Sequence, residues 1–151
     1  MDLAIRPATW YGSAMTERST TEKIAVPTMA ATYVGAGGVI LLDPEPIAQA
    51  FAAWGYGDEV RIVIGLVQAA AGAGLLAPKV RIYAAVALLA VMIGAVVTHV
   101  QSGQPVAALP AALLSVAMAA VAWVEANRTW LRRATGAEPP APADDSSAPG
   151  A

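Results

Sequence analysis

Residues 24–42 read IAVPTMAATYVGAGGVILL, and none of these nineteen side chains carries a charge. At a rise of about 1.5 Å per residue, a helix of this length approaches the ~30 Å hydrocarbon core of a bilayer. The stretch is longer than the apolar region of a signal peptide, and Asp43-Pro44-Glu45-Pro46 follows it in place of a small-residue cleavage site. It therefore predicts a membrane-spanning helix, with a cleaved signal peptide as the alternative.

Three further apolar stretches have similar length. They predict membrane spans at residues 60–77, 82–100 and 106–124, which are separated by short turns rich in proline, glycine and glutamine. Before the second of them, residues 46–54 carry apolar and aromatic side chains at helical spacing. This segment predicts a short helix, which lies either at the membrane interface or packed on the bundle.

The composition supports a membrane protein and excludes several classes of function. Apolar residues make up 57% of the chain and charged residues 13%, against roughly 45–50% and 25% in soluble domains. With a net charge of −2, the chain lacks the basic field that nucleic acid requires. The absence of cysteine removes thiol chemistry and Cys-ligated metals. One histidine cannot supply bis-His haem ligation, and we expect no metal site.

The lysines and arginines predict how the chain is oriented. In a four-span arrangement, only Arg61 of the nine basic residues falls on one side, and the other eight fall opposite: Arg6, Arg18, Lys23, Lys79, Arg81, Arg128, Arg132 and Arg133. Basic residues mark the cytoplasmic side. We therefore predict an all-α integral membrane four-helix bundle in the cell membrane, of the bacterial plasma-membrane type, with the N-terminus and the C-terminus cytoplasmic.

Three regions follow from this arrangement. Residues 1–23 form a polar N-terminal arm, in which Met1 and Met15 are both candidate translation starts. Residues 24–127 form the four-span membrane domain. Residues 128–151 are first basic and then acidic and rich in proline and alanine, a composition that predicts a disordered tail.

Two polar side chains in the spans are candidate functional groups. His99 lies at the outward end of the third span. It could serve as a hydrogen-bond donor or proton relay to a quinone headgroup. The alternative is a structural histidine that is hydrated in the lipid headgroup region or bonded to a loop carbonyl. Gln68, in the second span, fits an interhelical hydrogen bond. No Asp or Glu lies inside the four apolar cores, which disfavours an ion-coupled exporter.

Small residues recur every four positions in the second span. Gly65, Ala69 and Ala73 form a stripe that lets a neighbouring helix approach closely. The glycines of Gly35-Ala36-Gly37-Gly38 lie inside the first apolar helix, and the basic residue that a phosphate-binding loop requires does not follow them. They therefore predict close helix packing.

The order of several short motifs resembles the DoxX-like family of four-helix membrane proteins. The resemblance covers residues 27–124, and the segments that carry it are FAAWGY at 51–56, IGLVQ at 64–68, Pro78, YAA at 83–85, MIGA at 92–95 and Thr98-His99. Two positions depart from the family pattern. Gln68 stands where members usually have glutamate, and Gly57 stands where proline is common. A glutamine keeps its hydrogen bonds but cannot titrate.

The resemblance implies a link to redox chemistry in the membrane. The family is associated with the membrane subunit of thiosulfate:quinone oxidoreductase and with assemblies that handle oxidative or thiol stress. We expect a quinone pocket near His99, Gln68, Tyr56 and Trp54. Because the chain has no intrinsic cofactor ligands, any electron transfer uses a partner's cofactor or a diffusing quinone. An accessory subunit is favoured over an independent enzyme. The alternatives are a non-catalytic scaffold in a larger complex and a small homo-oligomeric transporter.

Overall fold

A computed structural model describes residues 20–42 and 44–135. Its elements in chain order are α1 (Thr20–Leu42), α2 (Pro44–Ala53), α3 (Asp58–Gly74), α4 (Arg81–Gln101), a 3-10 helix (Pro105–Ala108) and α5 (Leu109–Thr135). No strand occurs in these described ranges, so the prediction of an all-α chain is confirmed for them. Most of the predicted N-terminal arm and the tail beyond residue 135 lie outside the described residues.

Three of the helical segments are long and apolar enough to cross a membrane: Glu22–Leu42, Arg81–Gln101 and Pro105–Leu131. They correspond to the first, third and fourth predicted spans. Helix α3, at the place of the second predicted span, has only 17 residues. It begins at Asp58 instead of residue 60 and ends at Gly74, before a turn in which the Leu75 N–H bonds to the carbonyls of Ala71 and Gly72. Pro78 then prevents the helix from continuing.

Helices α1 and α3 cross at very short range. A Cβ atom at Gly37 would lie 2.6 Å from the backbone nitrogen of Ala69 and 2.6 Å from the carbonyl oxygen of Gly65. One side-chain layer further along, a Cβ at Gly72 would lie 2.9 Å from Cβ of Tyr33. The crossing therefore depends on glycines, as is usual where small residues let helices associate in lipid.

The core lies between α1, α4 and α5. Its fully enclosed large side chains are Tyr33, Leu88 and Met118, joined by Leu75 from the turn after α3. Large apolar side chains also cover the outer surface, and Leu113 and Trp123 on α5 are 72% and 70% exposed. A soluble protein rarely exposes apolar surface on this scale, whereas lipid is a suitable solvent for it.

Ion pairs join several helices at one end of the molecule. The Arg81 Nη1 donates to Glu125 Oε1 at 2.9 Å, and its Nε donates to the carbonyl of Leu75 at 2.6 Å. The Arg128 Nη1 donates to Glu22 Oε1 at 2.6 Å. The beginnings of α1 and α4, the end of α3 and the last turns of α5 therefore meet at this end.

The same ion pairs account for helix ends that differ from the predicted bounds. Helix α1 begins at Thr20, inside the predicted polar arm, and α5 continues to Thr135, past the predicted limit of 124. Hydropathy alone places a span end at the first charge, whereas Glu22 and Arg128 pair with each other and continue their helices beyond the apolar stretch.

Contacts at the opposite end of the molecule join the end of α1 to the beginning of α3. Arg61 is 5% exposed, and its Nη1 donates to the carbonyl of Ile40 at 2.5 Å, which caps the end of α1. The Nε of Arg61 donates to Asp58 at 2.7 Å. Helix α2 stands where the short helix is predicted at 46–54, but it begins at Pro44 and ends at Ala53, and its Phe51 is buried. This end carries the candidate site.

Candidate functional site

A Schellman turn after α2 positions the first two aromatic side chains of the site. Gly55 has φ of +82°, its N–H bonds to the carbonyl of Ala52, and the Tyr56 N–H bonds to the carbonyl of Phe51. These are the two hydrogen bonds of the motif, in which glycine is favoured because L side chains resist this backbone conformation. The turn places Trp54 and Tyr56 beside Phe51, with ring centroids 5.5 and 6.3 Å from the Phe51 ring.

A second Schellman turn ends α4. Gly103 has φ of +72°, its N–H bonds to the carbonyl of Val100, and the Gln104 N–H bonds to the carbonyl of His99. The turn reverses the chain after Gln101 into the 3-10 helix. Two helix C-termini with the same type of cap thus provide the two sides of the site.

Two side-chain contacts join these turns. The hydroxyls of Tyr56 and Thr98 are 3.0 Å apart and share a hydrogen bond. The Trp54 and His99 rings meet edge to face, with centroids 5.1 Å apart and planes at 77°. We call the group Trp54, Tyr56, Thr98 and His99 the polar–aromatic cluster.

A cavity of about 380 Å³ opens beside the polar–aromatic cluster. Its lining contains aromatic, hydroxyl and amide groups and no charged side chain: Ala53, Trp54, Tyr56, Thr98, Gln101, Ser102 and Gln104. Such a wall suits a neutral ligand that has hydrogen-bonding groups and an apolar or aromatic body. The described residues contain no group of three His, Cys, Asp or Glu side chains placed to hold a metal ion.

The Nδ1 atom of His99 is enclosed and has no hydrogen-bond partner among the described residues. A buried polar atom without a partner costs about 1–3 kcal/mol, and such atoms in native structures generally have a specific reason. The imidazole packs against Trp54, which lines the cavity. His99 is not itself one of the lining residues, so a ligand in the cavity reaches Nδ1 only if the Trp54 or His99 ring rotates.

The predicted pocket residues are brought together in part. Trp54, Tyr56 and His99 meet at this end, whereas Gln68 lies ten residues into α3, about 15 Å along the helix axis. Gln68 is 6% exposed, and its Oε1 has no partner among the described residues. It does not line the cavity.

Sequence reasoning did not single out Thr98 or the glutamines as cavity residues. Thr98 precedes His99 directly, and Gln101 and Gln104 flank Gly103. The available signal was the glycine after each helix, which marks where the chain reverses and hence which side chains meet at one end.

Of the three α3 residues predicted to pack against a neighbouring helix, two lie at the crossing with α1 and one does not. Gly65 is buried and the backbone of Ala69 lies at the crossing with α1, but Ala73 is exposed. Gly72 occupies the next position against α1. A spacing of four residues drifts around a helix that has 3.6 residues per turn, so the contact face moves from Ala69 to Gly72.

A charged pair lies outside the cavity on the same end. The hydrogen bond that Arg61 donates to Asp58 lowers the pKa of the Asp58 carboxyl below its ordinary value. Asp58 is exposed, so this pair marks the water-facing end of α3.

The comparisons with known proteins identify the family. The model of the DoxX-like family matches residues 24–136, which is most of the chain and includes the cavity, the polar–aromatic cluster and the crossing of α1 with α3. Comparison with curated proteins and with solved structures gave no significant match. The resemblance predicted from the short motifs is thereby confirmed. With its apolar helices and this match, the chain belongs to the DoxX-like family of membrane proteins.

Proposed function

We propose that four helices of this chain cross the membrane and that both termini face the cytoplasm. The contacts at the two ends support this arrangement. Arg81 bonds to the carbonyl of Leu75 at one end, and Arg61 bonds to the carbonyl of Ile40 at the other. Helix α3 thus connects the end of α1 to the beginning of α4. Its 17 residues measure about 25 Å, and the turn beyond Gly74 covers the remaining depth.

The distribution of basic residues supports the orientation. Lys23, Lys79, Arg81 and Arg128 lie at the end that holds the ion pairs, and Arg61 lies at the other end. An excess of basic residues marks the cytoplasmic side. The cavity and the polar–aromatic cluster then face outward.

Cysteine labelling tests the crossing of α3. The sequence has no native cysteine, so Glu59→Cys and Lys79→Cys, at exposed positions on either side of α3, each introduce one reporter. We expect a membrane-impermeant maleimide to label only Glu59→Cys in intact cells and both variants after permeabilisation. Equal labelling of both in intact cells would mean that α3 does not cross. Labelling of Lys79→Cys alone would mean the opposite orientation.

We propose further that the cavity binds a quinone headgroup. The observation that carries this proposal is the unpartnered Nδ1 of His99 beside a neutral, aromatic cavity. Quinone carbonyls accept hydrogen bonds, and a planar ring packs favourably against aromatic side chains. Of the paired hydroxyls of Tyr56 and Thr98, one donates to the other, and the acceptor keeps its own proton for a ligand.

In this proposal the chain is an accessory membrane subunit linked to quinone or to thiol and oxidative-stress chemistry. The cavity offers hydrogen bonds and stacking, and quinone supplies the redox chemistry when bound. Gln68 cannot carry a proton at the position where relatives usually have glutamate. Proton and electron exchange would therefore take place at the cavity or in a partner oxidoreductase subunit.

Two matched tyrosine variants test the quinone site. Tyr56→Phe removes the hydroxyl that bonds to Thr98, and Tyr83→Phe removes an exposed hydroxyl near the beginning of α4. We expect Tyr56→Phe to raise the Kd of a short-chain quinone, measured by equilibrium dialysis in detergent, by about two- to tenfold, the usual worth of one hydrogen bond. Tyr83→Phe should leave it unchanged. No binding to the wild type would favour the scaffold function, and equal effects of both variants would exclude this cavity.

A further inference from the structure

A second cavity, of about 220 Å³, lies at the opposite end from the polar–aromatic cluster. It is bounded by the first turns of α1, the turn after α3 and the beginning of α4, and its lining side chains are Glu22, Lys23, Val26, Pro27, Leu76 and Arg81. None of these residues belongs to the proposed quinone site.

Arg81 presents an unused hydrogen-bond donor at this cavity. The residue is only 2% exposed, and its Nε and Nη1 are held by the carbonyl of Leu75 and by Glu125. Its Nη2 hydrogen-bonds to no described residue. The guanidinium is therefore fixed in position by the protein at the wall of the cavity. A fixed guanidinium with free N–H groups suits an anionic oxygen, and above all a phosphate.

The charges of the wall fit a singly charged anion. Glu22 contributes one negative charge, and Lys23 and Arg81 contribute two positive charges, so the lining carries a net charge of +1. Adding the neighbours Glu125 and Arg128, one of each sign, leaves this sum unchanged. A phosphodiester group carries one negative charge.

The remaining wall is apolar and continues onto the outer surface. Pro27 is exposed and Leu76 is 54% exposed, whereas Val26 is buried. A site for free phosphate has no need of this surface. An acyl chain or glycerol backbone attached to the phosphate would cover it.

We propose that this cavity is a specific binding site for the phosphodiester of a membrane glycerophospholipid. Arg81 Nη2 and the Lys23 ammonium bind the phosphate oxygens, and the glycerol and acyl portion lies against Pro27 and Leu76. The proposal depends on the chain residing in a membrane and is independent of the quinone site. Such a lipid would bridge α1 and α4 beside the ion pair that joins them, in which Arg81 Nη1 lies 3.6 Å from Glu22 Oε1.

Quantitative mass spectrometry of phospholipid retained after gentle detergent purification tests this site. Lys23→Gln removes a lining cation, and Lys79→Gln removes an exposed cation at the same end that does not line the cavity. We expect retained phospholipid to fall about fivefold in Lys23→Gln, the usual effect of one basic residue near a lipid surface, and to stay unchanged in Lys79→Gln. Equal falls in both variants would indicate general surface charge, and no fall in either would exclude the site.

A second pair of variants tests the apolar wall without changing the charge. Leu76 and Leu66 are both 54% exposed, and only Leu76 lines the cavity. We expect Leu76→Trp to displace the retained lipid and Leu66→Trp to leave it in place. Inorganic phosphate added at increasing concentration should not displace the lipid from the wild type. Complete displacement by phosphate, with no effect of Leu76→Trp, would assign the cavity to free phosphate and overturn the lipid proposal.

Discussion

Replacing Gly37 by alanine tests how the crossing of α1 and α3 is built. The new Cβ would lie 2.6 Å from two backbone atoms of α3, the nitrogen of Ala69 and the carbonyl oxygen of Gly65. Neither atom belongs to a flexible side chain, so the two helices must move apart. Gly38, the next residue on the same helix, has nothing within 4 Å of an added Cβ and provides a matched control.

The expected difference follows from two opposed effects. Alanine in place of glycine inside a helix favours folding by about 0.5–1 kcal/mol, and this gain is common to both variants. Overpacking at Gly37 costs about 1–3 kcal/mol. We therefore expect Gly38→Ala to be neutral or stabilising, and Gly37→Ala to be less stable than Gly38→Ala by about 1–3 kcal/mol.

Reversible unfolding of the detergent-solubilised protein by a denaturing detergent, followed by circular dichroism, gives the free energy of unfolding of each variant. Equal free energies of unfolding for Gly37→Ala and Gly38→Ala would refute the close crossing. Such a result would mean that α1 and α3 are further apart than the structure has them.

Two further predictions concern charged groups at the two ends. Arg81→Gln leaves Glu125, whose side chain is 12% exposed, with the longer 3.5 Å contact to Arg128, so it should destabilise the protein by about 1–3 kcal/mol. The double variant Arg81→Gln/Glu125→Gln should lose less than the sum of the two single variants in the same unfolding assay, and additive losses would contradict direct pairing. At the other end, the pKa of Asp58 is lowered by the hydrogen bond from Arg61. A lowered folded-state pKa means that the pair stabilises the protein above the ordinary aspartate pKa of 3.8 and that this contribution is lost as the pH falls through the folded-state value. The Tm difference between wild type and Asp58→Asn should therefore shrink on acidification through that range, and a constant difference would contradict the ion pair.

Hydropathy predicted the long helices well because their charges lie only at their ends. It described α3 less well, since Asp58 and Arg61 belong to the helix itself and Gly74 ends it before the apolar stretch is complete. Ion pairs between helices are not visible to a hydropathy window. The continuation of α1 back to Thr20 and of α5 on to Thr135 could therefore not be predicted from it.

The part of the candidate site that lies at helix ends was predictable, because the order of the helices determines which helix ends meet. Trp54 and Tyr56 follow the C-terminus of α2, and His99 lies in the last turn of α4. Both helix ends are on the same side of the predicted bundle, so the proximity of these residues follows from the topology. Gln68 was grouped with them because of its polarity, but its depth along α3 separates it from the cavity. The phospholipid cavity had no sequence signal, because it depends on which nitrogen of Arg81 the fold leaves unbonded.

Mass spectrometry of everything that co-purifies with the full chain in a mild detergent tests the central claim most directly, namely that the cavity beside the polar–aromatic cluster serves quinone chemistry. We predict quinone or an oxidoreductase subunit in stoichiometric amount in the wild type, and its loss from His99→Ala while the purified variant stays folded. Recovery of the wild type with phospholipid alone, or unchanged quinone in His99→Ala, would contradict a quinone site at the polar–aromatic cluster.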